Sequence, residues 1–218
     1  GIIICGISDA DAEFLNNHSF DIPIVCVFRN EKKYHSVYVD DYDIGINVAR
    51  LFAQRGHKSV GFIGSNQNGP NSGLRKSGFI NKCRDLGLHM DKIWMREEAD
   101  RDFSSGFHAM KEILSLKNRP TAVFINVPEQ AMGAVTACKS EQIIFQEEME
   151  LFSVGHSKSF EYFSPSISMV CTPVFEVAES ALDLLMVVIR SEGNTPIARN
   201  LKAKYVFGDT CGDFNDRL

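Results

Sequence analysis

The chain has 218 residues, 44% of them hydrophobic, enough to bury a sizeable core in one large domain or two smaller lobes. Its net charge of −5 and pI near 5.7 point away from a domain that itself grips nucleic-acid phosphates, because that needs clustered Lys and Arg. No apolar stretch reaches the roughly 20 residues of a spanning helix and no signal peptide is visible, while six scattered cysteines without a CxxC pair fit free thiols in a reducing cytoplasm.

In chain order, the first element is the strand-like GIIICGI of residues 1–7, which opens the chain without an initiator Met and so suggests a fragment. Residues 22–28 form a second apolar run. Within 41–55 the apolar residues Ile44, Val48, Leu51 and Phe52 fall on one helical face, and Gly56 follows as a C-terminal stop. A strand over 59–65 precedes a helix over about 71–86, with Leu74, Phe79, Cys83 and Leu86 inward. Asp102 suits the cap of the next helix, whose stripe is Phe103, Phe107, Met110 and Leu114.

After a strand over 121–127, Pro128 fits the first turn of a helix, where its missing N–H costs nothing. Strands over 151–156 and 167–172 precede the most apolar helix, 174–189, with Val174, Val177, Ala181, Leu185 and Val188 on one face. The alternation Leu201, Ala203, Tyr205, Phe207 predicts one half-exposed edge strand. Apolar runs that do not alternate suit strands buried on both faces, and their regular exchange with helices predicts an α/β fold with parallel sheets.

The motifs point away from catalysis. FSVGHSKSF, residues 152–160, resembles a serine-hydrolase elbow, but Ser159 stands where the second glycine is needed and no histidine follows Ser157 to complete a triad. GFIGSNQNGPNSG lacks both the GK[ST] of a phosphate loop and GxGxxG; a polar loop placed to touch a ligand is the better reading. His57 reads as a structural turn residue, the histidines show no metal spacing, and Asp40, Asp41 and Asp43 are explained by the positive end of a helix dipole. No metal, cofactor or catalytic residue is expected.

IPIVCVFR, VYVDDYDIG, RGHKSVGFIG, LRKSGF, FSSGFHAMKEIL, RPTAVFIN, LFSVGH and SPSISMVCTP, in this order, resemble the effector-binding core of the lactose/galactose repressor family. The resemblance implies a periplasmic-binding-protein-like fold of two Rossmann-like lobes joined by three crossovers, with a small-molecule effector in the cleft. It implies too that a DNA-binding headpiece and the first part of lobe one lie outside this chain. The lobes would comprise residues 1–64 with 170–197, and 65–169 with 198–218.

The resemblance places Arg75, Arg29, Asn71, Ser8 and Asp9 at the effector. Arg101 stands where the family has an aromatic residue, and Ser157 and Lys158 replace its paired aspartates; Val127 and Pro128 replace an Asn-Asp pair, and Thr172 a glutamine. Acidic groups lost and basic ones gained suggest an anionic effector, a sugar phosphate or organic acid, since guanidinium forks pair with planar oxyanions. A neutral effector, or control by a protein corepressor, is the alternative. The expected protein is a cytoplasmic, homodimeric transcriptional regulator that meets operator DNA through its headpiece; a solute-binding component of a transporter shares the fold and is the rival.

Overall fold

A computed structural model describes residues 1–5, 9–66, 69–155, 160, 163–190 and 195–213, without the side chains at 9 and 70. The order of elements is β1 (Ile2–Cys5), α1 (Asp9–Asn17), β2 (Ile24–Val27), β3 (His35–Val39), α2 (Asp41–Gln54), β4 (Val60–Ser65), α3 (Pro70–Asp85), β5 (Met95–Glu98) and α4 (Phe103–Leu114). Then come β6 (Ala122–Ile125), α5 (Pro128–Ser140), β7 (Glu150–Gly155), β8 (Ser168–Cys171), α6 (Val174–Arg190), β9 (Ala198–Leu201) and β10 (Lys204–Val206). The result is the α/β architecture with parallel sheets that the sequence predicts.

Two compact units form. The first comprises Gly1–Asp40, Gly69–Asn71 and Thr172–Ala203. Its sheet has the order β1-β2-β3-β9, every pair parallel. On one face, Val25, Val27 and Val37 pack against Val177, Ala181, Leu184, Leu185 and Val188 of α6. On the other, Ile24 and Cys26 pack against Ala12 and Leu15 of α1. Lys33 Nζ donates to Asn16 O at 2.9 Å and Tyr34 Oη to Leu15 O at 2.6 Å, so carbonyls left over at the end of α1 find partners.

The second unit comprises Asp41–Asn68, Ser72–Cys171 and Lys204–Leu218. Its sheet runs β10-β8-β7-β6-β4-β5, parallel except for β10, which pairs antiparallel with β8. Under α4 and α5, Ile63, Val123, Ile125 and Leu151 meet Met110, Ile113, Val135 and Cys138. Elsewhere in the unit, Phe52 of α2 and Phe79 of α3 join Phe62 and Phe124 of the sheet in a fully buried ring cluster, with the Phe79 and Phe124 centroids 5.2 Å apart. Aromatic pairs in tilted and edge-on arrangements of this kind add to the area they bury.

Two glycine pairs bring helices into backbone contact. A Cβ on Gly45 of α2 would lie 2.0 Å from Arg75 O, and one on Gly78 of α3 would lie 2.1 Å from Tyr42 O. Gly106 and Gly133 repeat the device between α4 and α5, at 2.1 Å from Gln130 O and 2.0 Å from Phe103 O.

The unit boundaries differ from the expected lobes at both ends of the first lobe. α2 and β4, expected in lobe one, lie in the second unit, because β4 pairs with β5 and β6 and α2 is clasped to α3. β9, expected in lobe two, pairs with β3 of the first unit. The expected single strand over 201–207 is therefore two short strands in different sheets; the in-and-out alternation holds across the break.

Some expected core positions are exposed. β1 is a sheet edge rather than a strand buried on both faces, with Ile2 and Ile3 exposed. Leu74, Leu86, Phe103 and Val174, at the ends of their stripes, are exposed as well, while Phe79, Cys83, Met110 and Val177 are buried as predicted. All six cysteines are free thiols.

Candidate functional site

In an open parallel sheet, the carboxyl ends of the strands and the helix starts that follow them gather polar groups at one rim. In the second unit that rim holds a connected set of side chains. Arg75, in the second turn of α3, pairs with the carboxylate of Asp41, the first residue of α2. Arg75 Nε donates to Asn126 Oδ1 at 2.7 Å, just past the end of β6, and Asn126 Nδ2 donates to Ser72 Oγ at 2.7 Å and Ser72 O at 3.0 Å.

The local sequence explains why this set is held so firmly. Asp41 and Gly45 are four residues apart on one face of α2, and Gly45 is where the Arg75 carbonyl touches that helix. The contact that sets the spacing of α2 and α3 therefore also places Asp41 against Arg75. Asn126 is 1% exposed, and both ends of its amide are satisfied, as a buried amide requires.

Next along the rim, Gln130 in the first turn of α5 is fully buried and donates to Gly64 O at 3.1 Å and Asp100 O at 3.0 Å, tying the ends of β4 and of the β5–α4 loop together. Ser65 at the end of β4 is buried.

The first unit has its own arginine at a strand end. Phe28, immediately after β2, has φ of +62°, an uncommon conformation for a residue with a bulky side chain. Arg29, the next residue, pairs with Glu31, whose backbone N–H donates to Ser36 Oγ at 3.0 Å. Asn71 Nδ2 donates to Phe28 O at 2.7 Å.

Of the eight residues expected at the effector, the structure thus brings Asn71 beside the Phe28–Arg29 turn in the first unit and places Arg75 in the polar set of the second. Arg101 lies exposed just before α4. Ser8, Ser157 and Lys158 fall outside the described residues, as does the side chain of Asp9, whose backbone begins α1. Asp41, Asn126, Ser72 and Glu31 belong to these clusters and were not expected there. In the sequence Asp41 reads as a helix-dipole residue, and Asn126 lies inside the apolar run over 121–127 with nothing to mark it.

At the opposite end of the second sheet a different cluster forms around Glu150, the first residue of β7. Arg55 Nε donates to both carboxylate oxygens, at 2.6 and 2.7 Å; His57 Nε2 approaches Oε2 at 3.0 Å and Cys211 Sγ donates to it at 3.2 Å. Burial would raise the carboxyl, but hydrogen bonds from His57, Arg55 and Cys211, with the Arg55 charge, lower it to about 2. His57 Nδ1 lies 2.9 Å from Thr121 Oγ1, which accords with the structural role expected for this histidine.

Among the described residues no group of His, Cys, Asp and Glu could hold a metal ion, and no helix is long and apolar enough to cross a membrane.

A family model described as a periplasmic binding protein-like domain matches residues 49–211. The chain is 26% identical over 187 residues to the HTH-type transcriptional repressor PurR of Erwinia tasmaniensis, an alignment covering 84% of this chain and 54% of that protein. It thus spans about half the length of the curated relatives it matches. Among solved structures, a LacI family transcription regulator from Clostridium acetobutylicum is similar at a TM-score of 0.87 and 28% identity, over 94% of this chain and 76% of that one. A LacI family transcriptional regulator from Enterococcus faecium, solved with bound ribose, shares the fold at a TM-score of 0.72 and 17% identity, over 87% of this chain and 70% of that one.

Proposed function

The chain belongs to the periplasmic binding protein-like domain family, as the effector-binding core of a LacI/GalR-type regulator, and we propose that it senses a small molecule on behalf of a bacterial DNA-binding transcriptional repressor. The observation that carries this reading is the Asp41–Arg75–Asn126–Ser72 set, a buried, hydrogen-bonded group of polar side chains at the carboxyl ends of a parallel sheet. Such a set supplies donors and acceptors in fixed positions, which is what orients a ligand in a largely apolar surround. It offers no nucleophile with an adjacent base, so the reading is a binding module without catalysis.

Binding alters gene control only if the effector favours one arrangement of the protein over another, by as much free energy as its difference in affinity for the two. In this reading the complete protein works in the cytoplasm as a homodimer and meets two operator half-sites through a headpiece outside this chain. Free, buried thiols at Cys26, Cys83, Cys138 and Cys211 favour it over a secreted solute-binding protein.

The finer expectation of an anionic effector needs unmatched cations. Arg75 and Arg29 each face a carboxylate, Asp41 and Glu31, so an anion would have to displace one charge to reach the other. The two ion pairs favour an uncharged, hydroxyl- or amide-bearing effector, the class to which the ribose bound by the Enterococcus faecium regulator belongs.

A thermal-shift screen of the chain against paired neutral and phosphorylated metabolites, followed by calorimetry on each hit, tests the reading. Saturable one-to-one binding that weakens on Arg75→Gln supports it. Hits that do not depend on Arg75 would refute the site.

A further inference from the structure

We infer that Asp41 is a specificity-determining residue: it neutralises Arg75 in place and so turns a site with a conspicuous arginine into one that rejects anions. This rests on the effector reading above for the role of Arg75, but the charge relationship itself is visible in the structure.

Asp41 and Arg75 are both largely withdrawn from water, with side chains 8% and 14% exposed. At that depth an ion pair is weakly screened, and separating it leaves each partner with the cost of an unpaired buried charge. Arg75 is further fixed from its other side by the 2.7 Å bond from Nε to Asn126 Oδ1, and Asn126 is itself held by Ser72. Rotation of the guanidinium toward an incoming anion would therefore break two contacts at once.

Backbone contact between the helices removes the other route of escape. Gly45 and Gly78 hold α2 and α3 at contact distance, so Asp41 cannot withdraw with its helix while the crossing stands. An anionic ligand meets a carboxylate already seated on the arginine, whereas a neutral hydroxyl or amide can share donors and acceptors of the pair without separating it. Glu31 stands in the same relation to Arg29 in the first unit, which argues that matching each strand-end arginine with a carboxylate is a feature of the rims and not an accident of one side chain.

The test uses inorganic phosphate, which needs no knowledge of the effector. Phosphate is titrated into the chain at constant ionic strength, with chloride as the compensating salt, and followed by thermal shift and calorimetry. The wild-type chain should show no saturable response. Asp41→Asn should acquire one, at least about tenfold tighter than any residual wild-type binding, because the uncovered guanidinium becomes a charge-assisted donor to an oxyanion. Asp41→Glu should stay unresponsive, and Asp41→Asn combined with Arg75→Gln should lose the gained response.

Asp41→Ser serves in place of Asp41→Asn should the latter not fold, since serine is accepted at a helix start. Phosphate binding to the wild type as tight as to Asp41→Asn, or no gain in either neutral variant, would overturn the inference. The metabolite screen on the wild-type chain is a separate readout: its failure would sink the effector reading and leave the phosphate result standing.

Discussion

Both oxygens of the Glu150 carboxylate accept from Nε of Arg55, at 2.6 and 2.7 Å, although 95 residues separate the two in the chain. The bond joins the end of α2 to the start of β7 within the second unit, and Cys211 adds the end of the chain to the same carboxylate. Removing one partner of so buried a pair leaves an uncompensated charge. Glu150→Gln should lower the unfolding free energy by about 3–5 kcal/mol, measured by urea denaturation, whereas Glu112→Gln, an exposed partner of Arg96, should cost within about 1 kcal/mol.

The same carboxylate sets an acid limit. Its folded-state value, about 2, lies below the ordinary 4.5, so the stability it contributes is fully present above about 4.5 and disappears as pH falls toward 2. In urea midpoints measured across that window, the wild type should lose stability more steeply than Glu150→Gln. Parallel pH profiles for the two proteins would show that the carboxylate is not the group responsible.

Gly45→Ala and Gly133→Ala place a methyl group about 2.0 Å from a backbone carbonyl of the facing helix. Neither backbone can yield without parting the helices, so each should cost at least about 1–3 kcal/mol, the usual range for overpacking. Gly56→Ala is a different case: its φ is +91° and nothing stands within 4 Å, so the cost is conformational alone and close to about 1 kcal/mol. Denaturation midpoints for the three variants check the ranking.

Asp102 accepts from Ser105 N at 2.8 Å at the start of α4, and Asp102→Ala should lower the urea denaturation midpoint, while Asp102→Ser or Asp102→Asn should restore most of the loss.

Thiol chemistry checks the burial of the cores. Desolvation raises Cys26 to about 11 and Cys83 and Cys138 to about 12, and raises Cys211 as well; all four are buried. A disulfide reagent at pH 8 should label exposed Cys5 fast and half-buried Cys171 slowly, and should reach the other four only after denaturant is added. Rapid labelling of all six in the native state would contradict the packing described.

The sequence carried α2 to α6 and most of the parallel strands, because long amphipathic stripes such as Ile44–Phe52 and compact runs such as Ala122–Ile125 leave a clear period or block, but not the short, polar α1, DADAEFLNN. β3 and β5 were missed. The first follows the charged segment Glu31–Lys33, and the second, MREE, is an edge strand with little apolar residue to announce it. The boundary between the units was misplaced because which sheet a strand joins is a matter of pairing, and nothing in the runs around β4 or β9 states their partners.

Of the residues expected at the effector, the cations were legible in the sequence and the carboxylates they pair with were not. Arg75 and Arg29 stand out in the sequence, but Asp41 reads there as an ordinary helix-start acid and nothing singles out Glu31. Only the helix crossing at Gly45 shows that Asp41 faces Arg75, and that contact joins residues 34 positions apart. Two of the four cations expected at the effector, Arg75 and Arg29, are in the structure each matched by a carboxylate.

The most direct measurement is calorimetry of the wild-type chain and its Arg75→Gln variant against each uncharged polar metabolite that stabilises the wild type in a thermal screen. At least one such metabolite should bind one-to-one, with affinity reduced at least about tenfold by Arg75→Gln, as expected for loss of a hydrogen bond to a charged group. No metabolite bound, or one bound equally well by both proteins, would contradict it.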